Sequence, residues 1–272
     1  MKSAPRLIHS SNNAAGAAKA LLEVSEVSVS FGGIAALRGV SFVVRAQEIC
    51  GLIGPNGAGK TTLFNCVNGL IPVDGGDIRV DGRSLGEIPP REVVYLGVSR
   101  TFQNVGLYGD LSVLQNVQLG GHSMSSAGFL ATSLRLASAR KEEARLRAEA
   151  LARLAEVGLA HLADVQASSL PYGSLKRVEI ARALMSSPKL LMLDEPAGGL
   201  SHGEVDELGE MLRRLRAERG LTILLVEHHM RMVMDLCTHV VVMSQGAVLA
   251  DGTPQEVQKN EEVAAVYFGS AA

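Results

Sequence analysis

The chain has 272 residues, 47% of them hydrophobic and 20% charged, which suits one large domain with a buried core and excludes a disordered or fibrous chain. Its formal net charge of -2 argues against a protein that holds nucleic acid by neutralising phosphates, and the absence of Trp with only 4% aromatic residues argues against base stacking. No nucleic-acid partner is expected.

Residues 1–20, rich in Gly, Ala, Ser and Asn, read as a flexible leader. Lys2 and Arg6 are not followed by the apolar core of a signal peptide. No apolar run approaches the roughly 20 residues that cross a bilayer, so a cytosolic chain is expected, able to sit on a membrane only through a partner. Cys50, Cys66 and Cys237 lie far apart in apolar stretches without metal-ligand spacing and read as buried core thiols.

From Leu21 the texture changes. Leu22, Val24, Val27 and Val29 lead into Gly32-Gly33, and Leu37, Val40, Phe42 and Val44 follow, which predicts two antiparallel strands. A second hairpin is predicted from Gly75-Gly76 to Val80-Asp81-Gly82. Residues 139–160 predict a helix with Leu146, Ala150, Leu151, Leu154 and Val157 on its apolar face and Arg145, Arg147 and Glu149 opposite. Leu190 to Leu193 has the continuous apolar run of a buried strand. Ser201 with Glu204 then forms a capping box for a helix that ends at Gly220. Another apolar strand spans Thr222 to Glu227, followed by a helix carrying Met230, Val233, Met234 and Cys237, and by a hairpin from Val240 to Leu249 turning at Gln245-Gly246. Strands alternating with helices imply an α/β fold with a mainly parallel sheet core and an antiparallel β layer from the N-terminal part.

The strongest chemical signal is Gly54-Pro55-Asn56-Gly57-Ala58-Gly59-Lys60-Thr61-Thr62, which fits G-x-x-x-x-G-K-[ST] between the apolar strand Ile49 to Ile53 and a helical stretch. Phosphates need clustered backbone N–H donors, and glycines let the loop fold around the anion. The helix N-terminus adds unpaired N–H groups and a favourable dipole. Lys60, a point charge on a loop read as solvent-facing, would bridge the β- and γ-phosphates, and the Thr61 hydroxyl would ligate Mg²⁺. Asp194, ending the strand Leu190 to Leu193, would also hold Mg²⁺, and Glu195 is placed to polarise an attacking water.

These motifs, in this order, resemble the ATP-binding subunits of ABC transporters over roughly residues 21 to 268. The resemblance implies a P-loop NTPase of the ABC cassette type, with an ATP-binding domain at 21–257, a helical subdomain at about 104–167 and a C-terminal tail at 258–272. Gln103, in Arg100-Thr101-Phe102-Gln103-Asn104, matches the Q-loop residue that contacts Mg²⁺ and the attacking water. His228 matches the switch histidine, Gly198-Gly199-Leu200-Ser201 the D-loop, and Phe31 the ring that stacks on adenine. Leu170-Pro171-Tyr172-Gly173-Ser174 falls at the LSGGQ signature, with Gly173 and Ser174 implied to face the nucleotide held by a second subunit. Four positions depart from the common pattern: Pro171, Tyr172 and Ser174 in the signature, and Ser201 in place of the D-loop Asp.

The Pro-Tyr-Gly version, with Val113-Leu114-Gln115-Asn116-Val117 and the ending Ala265-Val266-Tyr267-Phe268-Gly269, is similar to ATPases of branched-chain and hydrophobic amino-acid importers. Ser174 departs even from those, which usually have Gln there. The partners implied are two transmembrane permease subunits, a second ATP-binding subunit (same or related chain) and an extracytoplasmic substrate-binding protein, with this chain peripheral on the inner face of the cell membrane. Val105, Leu107, Tyr108 and Leu111 are candidate contacts to the permease. Competing readings are a related transporter for amides, urea or lipid export, a soluble ABC-type ATPase acting on ribosomes or DNA, and an inactive binding module. The soluble type usually carries two cassettes or a long coiled-coil insert. Retention of Lys60, Gln103, Asp194, Glu195 and His228 argues against the inactive one.

Overall fold

The structure, a computed structural model, describes residues 19–101, 106–121 and 137–268. Strands β1 (Ala20–Phe31) and β2 (Ile34–Arg45) pair antiparallel across the Gly32-Gly33 turn. The short buried strand β3 (Ile49–Ile53) follows and runs into helix α1 (Lys60–Val67). The hairpin of β4 (Gly75–Val80) and β5 (Arg83–Ser84) turns at Asp81-Gly82 and joins the first pair in a four-stranded sheet ordered β2-β1-β4-β5. The first two predicted hairpins therefore form, with positive φ at Gly32 and Gly33 in one turn and at Asp81 and Gly82 in the other.

After β6 (Val98–Arg100) come the helices α2 (Val113–Leu119), α3 (Ala137–Glu156) and α4 (Tyr172–Leu184). The chain then alternates β7 (Leu190–Asp194), α5 (His202–Arg219), β8 (Thr222–Val226), α6 (Met230–Leu236), β9 (His239–Ser244) and β10 (Ala247–Gly252). It continues as α7 (Pro254–Gln258) and α8 (Glu261–Phe268). The second sheet is ordered β10-β9-β3-β8-β7-β6 and is parallel except for β10.

Every residue of β3, β7 and β8 is buried, as expected of central strands covered on both faces. Their side chains alternate between two cores. Ile49, Ile53, Leu191, Leu193, Ile223 and Leu225 pack with the helices, whereas Cys50, Leu52, Leu190, Met192, Leu224 and Val226 pack with α1 and the antiparallel sheet. Cys50, Cys66 and Cys237 are buried and unbridged. In α3, Ala150 and Leu154 are buried, while Arg145 on the opposite side pairs with Glu142 and Glu149. Residues 1–18 of the expected leader lie outside the described residues, and Ala20 already belongs to β1. The last segment is helical and docked: Asn260 accepts the amides of Glu262 and Val263, and Val263 and Tyr267 lie against the helical-side core. Among the described residues no helix is long and apolar enough to cross a membrane.

The sheet is pinned at the end away from the carboxyl ends of its strands. His239, at the start of β9, pairs through Nε2 with Asp251 on β10, and its Nδ1 lies 3.5 Å from Glu48, just before β3. Burial opposes a charge on this imidazole, but hydrogen bonds with Asp251, Cys50 and Glu48 outweigh it and push the group up to about 12. A proton held by the folded chain and released by the unfolded one stabilises fully below pH ~6.5, and that stabilisation is lost as pH rises toward the folded value. In urea unfolding between pH 7.5 and 9.5, the wild type should therefore lose up to about 1.4 kcal/mol per pH unit more than His239→Gln. Equal slopes would show that His239 is neutral in the fold.

Candidate nucleotide site

The carboxyl ends of β3, β7 and β8 converge on one edge of the parallel sheet, the edge where open α/β sheets bind ligands. Residues 54–59 link β3 to α1 there, with φ of 150° at Gly54, 80° at Gly57 and 99° at Gly59. Two of these glycines are required by packing as well as by φ. A Cβ on Gly54 would overlap the Met243 carbonyl on β9, and one on Gly59 would lie 2.7 Å from the Ala36 carbonyl on β2. The loop is braced further by the Gly246 amide, which donates to the Ala58 carbonyl at 3.1 Å. Its tip, Asn56 and Gly57, is exposed, as is Thr61. The first turn of α1 has no side-chain cap and no acidic residue, so its amides keep the donor capacity that an anion requires.

The loop's tip faces solvent, as expected, but Lys60 does not. It is only 7% exposed, and its ammonium donates to the carbonyls of Gly54 at 2.7 Å and Pro55 at 3.0 Å. Desolvation lowers its pKa, while the charges of Glu195 and Asp194 act the other way. The motif specifies an amine at the first turn of α1. It says nothing about the side chain folding back onto the loop's own carbonyls, which is how the ammonium is held.

Asp194 ends β7 and is 4% exposed. The Arg100 guanidinium, at the end of neighbouring β6, holds its Oδ2 at 2.8 Å. The same guanidinium donates to Asn65 Oδ1 on α1 at 2.6 Å and lies 5.5 Å from the Phe64 ring centroid. Arg100 thus ties the acidic strand end to the helix after the loop, a role that sequence reading did not assign. Its signal was faint: a cation ending a short strand, 94 residues from its partner.

Glu195 adopts a left-handed backbone with φ 50°, a conformation that costs a non-glycine residue on the order of 1 kcal/mol. Its amide donates to the Val226 carbonyl at 2.9 Å, and its Oε1 lies 2.6 Å from His228 Nε2. The two side chains expected to act on the same phosphate therefore meet. Buried Glu227 sets that geometry from below. It accepts the amides of Ala197 at 2.6 Å, His228 at 3.0 Å and His229 at 3.2 Å, fastening the turn after β7 to the turn after β8. It too went unassigned, because an acidic residue beside two histidines gives no hint that it binds backbone.

Phe31 is 50% exposed at the tip of the β1–β2 hairpin. Ala36 of the same hairpin lies against the loop at Gly59. Tyr267 on α8 is a further unassigned neighbour of the loop. Burial pushes its phenol up to about 12, opposed by a hydrogen bond with the Gly54 backbone. Gln103 and Val105 lie outside the described residues.

Gly173 and Ser174 occupy the first turn of α4, with Pro171 as its N-cap. They border a separate hollow of about 240 Å³, shared with Lys176, Leu200 and Glu204. The lining of that hollow includes no residue of the phosphate loop. Gly173 is buried against α5: a Cβ there would meet Glu204 Oε1 at 2.5 Å. Glu204 also accepts the Ser201 amide at 2.9 Å and the Ser201 hydroxyl at 2.7 Å, so the predicted Ser201–Glu204 cap forms. Any change at Gly173 that adds a carboxylate therefore disturbs this cap as well.

Comparison with known proteins decides the family. The family described as "ABC transporter" matches residues 37–198, and "Branched-chain amino acid ATP-binding cassette transporter" matches residues 247–272. The chain belongs to the ABC transporter ATP-binding family. It is an ATPase of that family. It is 42% identical to the high-affinity branched-chain amino acid transport ATP-binding protein BraF of Pseudomonas aeruginosa, over 92% of this chain and 98% of that protein. It is 40% identical to LivG of Escherichia coli K12, a protein of the same description, with the same coverage. The ADP conformation of MJ1267, an ATP-binding cassette of an ABC transporter, superposes with a TM-score of 0.80 at 31% identity, covering 92% of this chain and 99% of that one.

The buried ion pair gives a stability test. Arg100→Met would leave the Asp194 carboxylate buried without its guanidinium, which typically costs about 3 kcal/mol or more. Chemical denaturation should show that loss, and Arg100→Met with Asp194→Asn should recover part of it. A single variant as stable as wild type would mean that the pair does not hold β6 and β7 to α1.

Proposed function

We propose that this chain is the MgATP-hydrolysing subunit of an importer for branched-chain or other hydrophobic amino acids. It would work with two membrane permease subunits, a second ATP-binding subunit and an extracytoplasmic binding protein, from the inner face of the membrane. The observation that carries the reading is the convergence of a glycine-built anion loop, a buried strand-end carboxylate and a Glu195–His228 pair on one sheet edge. Relatives at 40–42% identity that bear the branched-chain amino acid description support the substrate class.

In this reading the residues from Gly54 to Thr62 bind the phosphates through backbone amides and Lys60, and Phe31 stacks on the adenine. Thr61, Asp194 and Gln103 would hold Mg²⁺, whose charge offsets the phosphates. The donor set fits: an exposed hydroxyl at the start of α1, and a carboxylate with one oxygen engaged by Arg100. Glu195 polarises the attacking water and is oriented by His228. Gly173 and Ser174 would face a nucleotide held by the other ATP-binding subunit. Pro171 brings no N–H to that contact, which leaves the amides of Tyr172, Gly173 and Ser174 at the start of α4. Catalysis of phosphoryl transfer rests mainly on such positioning and charge stabilisation.

Glu195→Gln should retain nucleotide binding and lose nearly all turnover, since the amide keeps shape but cannot polarise water. Equilibrium binding and phosphate release, measured on the complete transporter, read the two separately. Loss of binding in place of turnover would remove Glu195 from the chemistry. Lys60→Ala should lower ATP affinity as well as turnover, because it deletes both the charge and the bonds to Gly54 and Pro55. For the substrate, vesicles holding the transporter should take up leucine, isoleucine or valine only with ATP and the binding protein. ATP turnover without uptake of any of them would overturn the assignment.

A further inference from the structure

Helix α4 starts at the signature segment and carries two charged residues one turn apart, Glu179 and Arg182, that the catalytic reading does not use. Both act on the backbone of a single residue, one on its N–H and one on its C=O. Glu179 Oε1 accepts the Gly106 amide at 3.0 Å, and Arg182 Nη1 donates to the Gly106 carbonyl at 2.6 Å. Arg182 Nη2 lies 3.7 Å from Glu179 Oε1, so the two side chains also orient each other. Glu179 is 2% exposed, and its second oxygen is buried without a hydrogen-bond partner among the described residues. Burial raises its pKa, opposed by the Gly106 amide and the charges of Lys176 and Arg182.

A neutral amide side chain could accept one backbone N–H at lower desolvation cost, so a buried carboxylate paired with a guanidinium needs a further reason. What the pair adds is grip on both polar groups of one residue that has no side chain of its own. The stretch after Gly106 is fixed just as tightly. Buried Asn116 accepts the Tyr108 amide at 2.8 Å and donates to the carbonyls of Tyr108 at 2.9 Å and Ser112 at 3.0 Å. Gly120, at the end of α2, lies so close to the Arg182 carbonyl that a Cβ would overlap it. The exposed Tyr108 ring is therefore carried on a segment tied through Gly106, Asn116 and Gly120 to the helix that begins at Tyr172, Gly173 and Ser174.

We propose that Glu179 and Arg182 are positioning residues that clamp Gly106 to the signature helix, so that force applied at Leu107 and Tyr108 by a membrane subunit moves the signature segment with it. The pair touches neither nucleotide nor reacting atoms. Loss of the clamp leaves ATP binding intact and separates hydrolysis from transport. The proposal rests on the transporter reading above.

The test uses the complete transporter in vesicles, with ATP hydrolysis and substrate uptake measured together. Arg182→Ala, at a partly exposed position, should bind ATP within about twofold of wild type yet move at least about fivefold less substrate per ATP, the lower end of typical coupling effects. Glu179→Ala should do the same. Glu179→Gln, which keeps an acceptor for the Gly106 amide, should restore most of the ratio. Hydrogen exchange of the Gly106–Tyr108 amides should quicken in Arg182→Ala, while exchange in β3 and β7 stays unchanged. If Glu179→Ala does not fold, Arg182→Ala and Glu179→Gln still decide. Uptake and hydrolysis falling in equal proportion, or an unchanged ratio with faster exchange at Gly106, would overturn the clamp. Absence of coupled uptake in the wild type would instead remove the transporter reading on which it rests.

Discussion

The structure depends on one close approach of backbones. The loop after β3 passes so near β2 and β9 that neither Gly54 nor Gly59 can carry a side chain, and the Met243 and Ala36 carbonyls stand where their Cβ atoms would be. This contact fixes more than the loop. It holds the loop against one strand of each sheet, and with it the start of α1, at the carboxyl ends of the central strands. A glycine-rich loop on a looser scaffold would offer the same amides without a fixed target.

Charge follows from that geometry. Lys60, Asp194 and Glu227 are buried, as is the Arg100 side chain, and each is engaged by charge or backbone partners. Such groups are costly to bury and strongly constrained once buried. Arg100 joins β6, β7 and α1, and Glu227 joins the turns that carry Glu195 and His228. The Glu195–His228 pair is thus set by a buried carboxylate that binds only the backbone of the two turns. On the helical side, Glu179 and Arg182 act similarly on Gly106, where a buried carboxylate and a partly exposed guanidinium fix a residue lacking any side chain to pack.

Much of the fold was legible because its determinants are local. Continuous apolar runs at Leu190 to Leu193 and Thr222 to Val226 mark strands covered on both faces, and Gly32-Gly33, Asp81-Gly82 and Gln245-Gly246 mark the hairpin turns. Ser201 with Glu204 announces the start of α5 at the spacing that a reciprocal cap requires. The phosphate loop, Asp194, Glu195 and His228 could be proposed from motif order. The meeting of Glu195 with His228 could not, since 33 residues separate them. Arg100, Glu227, Tyr267 and Glu179 stayed hidden for the same reason: each acts on a distant segment, and its own neighbourhood in the chain reads as an ordinary charged or aromatic surface. The burial of Lys60 is not legible either, because motif spacing carries no record of the carbonyls its ammonium turns back to.

The central claim is that the nucleotide site exists because backbone closes on backbone at the phosphate loop. Equilibrium binding of ATP to Gly59→Ala tests it most directly, in protein whose far-UV circular dichroism matches that of the wild type. A Cβ that meets the Ala36 carbonyl at 2.7 Å must push the loop off β2. Affinity should then fall at least about tenfold, equivalent to about 1.4 kcal/mol. Wild-type affinity in that folded variant would contradict the account.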